Sequence, residues 1–350
     1  MSCKTRFICL KSSLLGFFLL LLQAAQAQPD WNQLTGELES RKKILGNDFV
    51  MLIWKKGDTL VYKKETGMFN SKTSAPLGEA STWLTAALVM QFIDEGKLSL
   101  EDRVSRFIPE FAKYGKNYIT IRHCLSHFTG VSDEAGFFKK MFQKRKFMSL
   151  EEEVNSYASK EIRTNPGTDF WYGNMGINIA GRVLEVVSKK RFDVLAKQKL
   201  FNPMTMRRSS FTSFDGMLLD PAAGATSTAD DYMKFLVMLM NKGSFGGKQI
   251  LSEASVNELF KIHATKEKMK NVPKSLNGFS YALGSWALEE KDNKAVVIAE
   301  GGLTGAWPVI DLCRGYACLF FPKEQFTEEK PGLFTDLKSR LDELAGGGCN

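Results

Sequence analysis

The sequence predicts an α+β fold: an antiparallel β-sheet flanked by helices, with a mainly helical lobe inserted. Three observations carry this. Two strand-like runs sit near the start, in DFVMLIWKKGDTLVYK at 48–63. Strand texture returns after residue 276 as FSYALGSWALEE, AVVIAE, AWPVIDL and YACLFF, separated by turn residues. The stretch between, about 100–275, reads as helices broken by loops. Strands and helices come in blocks and do not alternate, which argues against a wound parallel sheet.

The first segment stands outside that fold. Lys4, Arg6 and Lys11 form a positive region, Leu14–Leu22 is a short apolar run, and Ala25-Gln26-Ala27 is a small-x-small cleavage signal. Residues 1–27 therefore read as a signal peptide, with a mature chain from Gln28 that is secreted, extracellular or periplasmic. The apolar run is too short to span a membrane comfortably, and no transmembrane segment is expected after its removal. Residues 28–345 then form a single two-lobed domain. Its α/β lobe covers about 28–98 and 276–345, and its helical lobe about 99–275. Residues 346–350 form a flexible tail.

Each element has a local reason. Lys-Gly-Asp turns the first hairpin. From Ala80 to Gly96 apolar residues fall on nearly every face, among them Trp83, Leu84, Leu88, Met90 and Phe92, so this helix is buried on most sides. Gly96 ends it. Further helices are expected at 119–127, 149–160, 174–188, 192–200 and 228–241. RTNPGTDFWYG at 163–173 is a Pro-Gly loop and not a strand pair. The late strands form a meander, and Pro331 opens the last helix, GLFTDLKSRLDELA.

Composition narrows the class. The chain has 350 residues, 44% hydrophobic and 25% charged, enough for a core that needs no disulfides. Loss of the signal takes the formal net charge from +8 to +5. The charges are scattered as Lys-Lys pairs without interleaved aromatics, which serves solubility and gives no nucleic-acid surface. Cys124, Cys313, Cys318 and Cys349 remain in the mature chain. Cys313 and Cys318 flank a tight Arg-Gly turn that a cross-strand bridge would suit, the pairing among the four stays open, and Cys124 sits in an apolar, helix-like context that suits burial. The spacing matches no zinc site, and no cofactor or metal is expected.

Several runs in order carry a resemblance: LTAALVMQFIDEGKLSLEDRVSRFIPEF, ITIRHCLSHFTGV, PGTDFWYGNMGINIAGRVLE, GATSTADDYMKFLVMLMNKG and GAWPVIDLCRGY. They resemble the serine β-lactamase and penicillin-binding-protein superfamily, in its class C β-lactamase-like branch of esterases and D-amino-acid peptidases. The similarity runs from about residue 48 to the final helix. It implies a Ser-x-x-Lys motif at the mouth of the buried helix, a Tyr-x-Asn motif, and a Lys/His-x-Gly strand motif.

Here those motifs are altered. Thr85, in TAAL, sets the register that places Glu79 at the nucleophile and Thr82 at the lysine. An alternative frame makes Ser81 the nucleophile and puts Leu84 at the lysine. The first is preferred because Trp83 and Leu84 then fall on core positions. Tyr172-Gly173-Asn174 retains the tyrosine motif. Aligning on Pro308 and Asp311 puts Glu300-Gly301-Gly302 at the strand motif, while a competing frame uses Leu303-Thr304-Gly305. Every frame lacks the cation. A serine hydroxyl without a base is a poor nucleophile. Glu79 and Glu300, if they face Tyr172, raise its pKa further.

Glu79 also has a structural reason to be tolerated, because a carboxylate at a helix N-terminus is stabilised by the dipole. His123 and His127 read as loop-packing residues and His263 as solvated. Gly302, Trp171 and Trp307 are candidates for lining the cleft, with core packing an equal alternative for the tryptophans. The implied function is a secreted β-lactamase-related protein without catalysis, in a binding or structural role, with a small-molecule or peptide ligand as the expected partner in the cleft. Two acids in the cleft would suit an amine, a basic peptide or a hard cation. The alternative is a serine hydrolase of esterase, β-lactamase or D-amino-acid peptidase type with residual or altered activity. That activity would come from Ser81, or from the two glutamates as an acid–base pair.

Overall fold

In the computed structural model, which describes residues 30–131, 147–211, 219–346 and 349, the two strand-rich ends of the chain meet in one sheet. Its strands are β1 (Phe49–Lys55), β2 (Thr59–Glu65), β3 (Ser280–Tyr281), β4 (Trp286–Lys291), β5 (Lys294–Ala299), β6 (Trp307–Asp311) and β7 (Tyr316–Pro322). The spatial order is β2-β1-β7-β6-β5-β4-β3, and all neighbours are antiparallel. The β1–β7 register, from Phe49 opposite Pro322 to Lys55 opposite Tyr316, joins the ends.

Both faces of the sheet are covered, as the alternation along β1 requires. Phe49, Met51 and Ile53 pack with Leu34 and Leu38 of α1 (Trp31–Ser40) and with Leu337 and Leu341 of the last helix, Leu333–Ala345. Val50 and Leu52 face the opposite core, which holds α2 (Ser81–Asp94). The helix at Ala229–Met240 lies inside the stretch assigned to the helical lobe, yet its buried face shares that core with Val50, Leu52, Leu319 and Phe321. Helix α1 has no counterpart in the sequence reading, because its single apolar stripe is only Leu34 and Leu38 wide.

Helix α2 is central. Residues Ser81 to Phe92 are all buried, as its all-round apolar pattern demands. Past its end, Gly96 takes φ +66°, and Lys97 N–H reaches back to the Phe92 carbonyl at 2.9 Å, a glycine C-terminal stop. The other expected helices form at Ile121–Leu125, Leu150–Ala158, Met175–Ser188, Phe192–Ala196 and Ala229–Met240. Thr120, Ser149 and Thr228 cap three of them.

Some local expectations differ. FSYALGSWALEE is not one strand but two, β3 and β4, folded on each other at Gly284. That glycine has φ +77°, and a Cβ there would lie 2.7 Å from Ala86 Cβ on α2. Within 163–173, Phe170–Trp171 does pair, in parallel, with Met269–Asn271. Cys313 bonds Cys349, not Cys318. Asp311 sits opposite Tyr316, so Cys313 lies in the turn, whereas Cys318 lies opposite Val309 with its thiol in the core. The tail is thereby tied back to the β6–β7 turn. Cys124 is buried. Residues 1–27 lie outside the described residues. Among those described, no helix is long and apolar enough to cross a membrane.

Candidate functional site

The site forms where the start of α2 meets the segment between β5 and β6. Gly78–Ala80 make one 3-10 turn leading into α2, with Gly78 at φ +57°. On the sheet side, Glu300 follows β5, and Gly302 turns the chain at φ +65°. Beyond it the Leu303 and Thr304 N–H groups converge as an anion-binding nest, the arrangement that a left-handed residue creates.

Glu79 fills that nest. One carboxylate oxygen accepts from Thr304 N–H at 3.0 Å, and the other accepts from the Thr304 hydroxyl. The Leu303 N–H and the N–H of Glu79 itself also favour the charged form. Burial opposes all four and prevails: Glu79 is 1% exposed, and its carboxyl is pushed up to about 7. Such donors are the means by which an oxyanion is stabilised. In this chain they are committed to a side chain of the protein.

Glu300 is completely buried. One of its oxygens accepts from the Gly301 N–H at 2.8 Å, and the other has no hydrogen-bond partner among the described residues. Burial raises its pKa well above the carboxylate range, and the charge of Glu79 raises it further. An unpaired carboxylate in such a place is costly, and protonation removes the cost. Tyr172 is also buried, and its phenol is raised well above its usual value by burial, then by Glu300, Tyr281 and Glu79. The acids and the tyrosine thus act on one another, and their influence disfavours phenolate.

Ser81 and Thr82 are turned to other tasks. The Ser81 hydroxyl donates to the Gly78 carbonyl at 2.6 Å and accepts from Ala225 N–H at 3.0 Å. Thr82 donates to the Ala222 carbonyl at 3.0 Å. Both tie α2 to the 221–225 segment. Trp83 and Leu84 are fully buried in the core. Asn174 precedes the helix Met175–Ser188 and is half-buried.

The binding candidates divide. Trp307 stacks on Phe334 with ring centroids 4.9 Å apart, within the core under the last helix. Gly302 faces the same Phe334 ring: a Cβ there would come within 2.4 Å of it. Trp171 is half-buried and carries the Arg163 guanidinium 4.3 Å above its ring.

Several residues of the site escaped the sequence reading. Tyr232 donates to the Ala80 carbonyl at 2.8 Å, and burial, Glu300 and Glu79 raise its pKa. Tyr281 and Trp286 pack around Tyr172. His127 packs there too, 4.8 Å from the Tyr172 ring, with Nε2 3.0 Å from the Tyr281 hydroxyl. Burial pushes His127 down to about 3, so it is neutral, and it is hydrogen-bonded to the backbone at Gly173 within the tyrosine motif. His127 is thus a packing residue that braces the motif. His263 is 9% exposed at the side chain and lies beside Glu258 and Arg122, not in solvent. No local pattern marks Tyr232, Tyr281 or Trp286, which reach the site only through the lobe and sheet packing.

Glu79 does not present open oxygens to a ligand, and burial holds both acids toward neutrality. That geometry does not favour the amine, basic peptide or hard cation suggested by two acidic residues. Among the described residues, Asp311, Cys313 and Cys349 also converge, but the two cysteines are bonded to each other.

Comparison with known proteins places the fold. A curated penicillin-binding protein 4 of Amycolatopsis lactamdurans is 32% identical over 135 residues, covering 38% of this chain and 34% of that protein. The match therefore spans about a third of that relative's length. A Bacteroides dorei structure assigned to the β-lactamases aligns with TM-score 0.78 at 23% identity, covering 89% of this chain and 99% of that one. EstCE1, described as a hydrolase with promiscuous acyltransferase activity, aligns with TM-score 0.72 at 18% identity, covering 87% and 96%. At such identities the structural likeness concerns the fold. The Beta-lactamase family model matches residues 49–331, and with the antiparallel sheet, the buried helix and the tyrosine motif in place, the chain belongs to the β-lactamase family.

Proposed function

We propose that this chain is a secreted, catalytically silent member of the β-lactamase family, with a binding or structural role. One observation carries the proposal: the Glu79 carboxylate occupies the backbone nest that an acyl-transfer site needs for its oxyanion. The surroundings support it. Thr82 stands where the register calls for a lysine, and its hydroxyl is bonded to a backbone carbonyl. Tyr172 is surrounded by acids that disfavour phenolate. A glutamate attacking an ester or amide would form an anhydride, an intermediate with no advantage over the substrate. Ser81, the alternative nucleophile, is buried with both a donor and an acceptor partner. Secretion rests on the charged, apolar and small-x-small pattern of residues 1–27.

The test is to treat the purified mature protein with a fluorophosphonate probe and with chromogenic ester and lactam substrates. No labelling and no turnover are expected. In the triple variant Glu79→Ser, Thr82→Lys, Glu300→His, labelling of residue 79 is expected. Turnover by the unaltered protein that is lost in Ser81→Ala would overturn the proposal. N-terminal sequencing of exported protein should begin at Gln28.

A further inference from the structure

Between the last helix and the Glu300–Leu303 segment lies a cavity of about 210 Å³. It shares the Glu300–Leu303 wall with the nest, but Glu79 and Thr304 do not line it, and Gly302 turns its open side to Phe334. The walls are Leu276, Phe279, Leu288, Leu303, Trp307 and Phe334. Three are aromatic, and two of these, Trp307 and Phe334, are stacked at 18° between planes. Compact, mostly apolar concavities with a few polar groups are where proteins take small ligands.

The polar lining decides the ligand's charge. Lys338 is 8% exposed and paired with Asp311 at 3.1 Å, with Asp342, and with Glu289 at 3.5 Å. Lys330 is paired with Glu328 at 2.6 Å. Of the five ionisable groups that line the cavity, Glu289, Lys330, Lys338 and Asp342 each already have a counter-charge, and Glu300, which has none, is held toward its neutral, protonated form by burial. A ligand charge of either sign would lose water on entry and find no unpaired opposite charge. The hydroxyls of Thr335 and Ser339 donate to the helix carbonyls of Gly332 and Thr335, at 2.9 and 3.1 Å. Their oxygens can still accept a single N–H or O–H.

We propose that this cavity binds an uncharged, compact aromatic molecule of one or two fused rings with one hydrogen-bond donor. An apolar cavity of about 150 Å³ holds benzene, so a slightly larger one suits a bicyclic ring. The ligand would stand against Phe334 and Trp307, back to back with the segment that carries the nest.

The probe is indole, titrated by calorimetry and by saturation-transfer NMR against the full mature chain, with benzoate and benzylamine as charged counterparts. Saturable one-to-one binding of indole is expected, with both charged probes weaker by about tenfold or more. Thr335→Trp, at an exposed position on the rim, should block entry and weaken indole by about tenfold with an unchanged unfolding midpoint. Phe279→Ala should weaken it by removing a wall, and Ser339→Trp provides a second block should the first alter the fold. No saturable indole binding up to its solubility limit overturns the proposal. Equal binding of a charged probe overturns the ligand class. Indole binding that none of the three variants changes places it elsewhere, which also overturns the proposal.

Discussion

Replacing Glu79 by glutamine should change the pH dependence of stability. In the folded chain this carboxyl titrates at about 7, against an ordinary 4.5. Below 4.5 both folded and unfolded chains hold the proton, and the group is neutral to folding. Between the two values the unfolded chain releases it while the folded chain keeps it. Stability then falls as pH rises, by about 1.4 kcal/mol per unit. Over that window the loss is about 3 kcal/mol. Glu300, also raised, extends the loss to higher pH.

Glu79→Gln has no proton to lose there. Like the protonated acid at pH 5, it offers one acceptor to the Thr304 N–H and one donor to the Thr304 hydroxyl, so at pH 5 its stability should lie within about 1 kcal/mol of the parent. Urea unfolding at pH 5 and pH 8 measures both, with the slope on denaturant checked for constancy. The parent should lose about 3 kcal/mol more than the variant between the two pH values. Equal losses would refute the idea that burial of this carboxylate outweighs its four donors.

Three further outcomes follow from the geometry. Gly78→Ala would place a Cβ 1.9 Å from Thr304 Oγ1 and 2.8 Å from Gln325 Nε2 at a left-handed φ, so it should lose about 2–4 kcal/mol in urea unfolding. Ser81→Ala leaves the Ala225 N–H without its acceptor; about 1–3 kcal/mol should be lost in thermal unfolding, with fluorophosphonate labelling absent in both proteins. Cys349→Ser opens a link that closes 36 residues of chain, and about 4 kcal/mol should be lost on chain-entropy grounds. Equal urea midpoints with and without reductant in the parent would show that the bridge adds nothing.

Much of the fold is legible locally. The helix from 81 to 94 shows in its all-round apolar faces, because a segment with no polar face has no place at a surface. The late meander shows in short apolar runs between turns. The Cys313 partner does not, because the choice between Cys318 and Cys349 depends on register: a residue opposite Val309 points into the core, away from the turn. The FSYALGSWALEE run likewise reads as one strand until Gly284 is seen pressed against Ala86 of a helix far away in sequence. Helix α1 is missed because two leucines make too narrow a stripe to register.

The sequence by itself determined that Glu79, Thr82 and Glu300 are two acids and a hydroxyl, with no ammonium group among them. Those are covalent facts, and no packing can change them. Only the tertiary structure decided what these acids do. Two carboxylates read as open ligands for a cation, but a carboxylate's behaviour depends on its surroundings. Residues 225 positions apart bring the Thr304 donors onto Glu79, and burial does the rest. The charge of these groups, their access to solvent and their partners are properties of the assembled core.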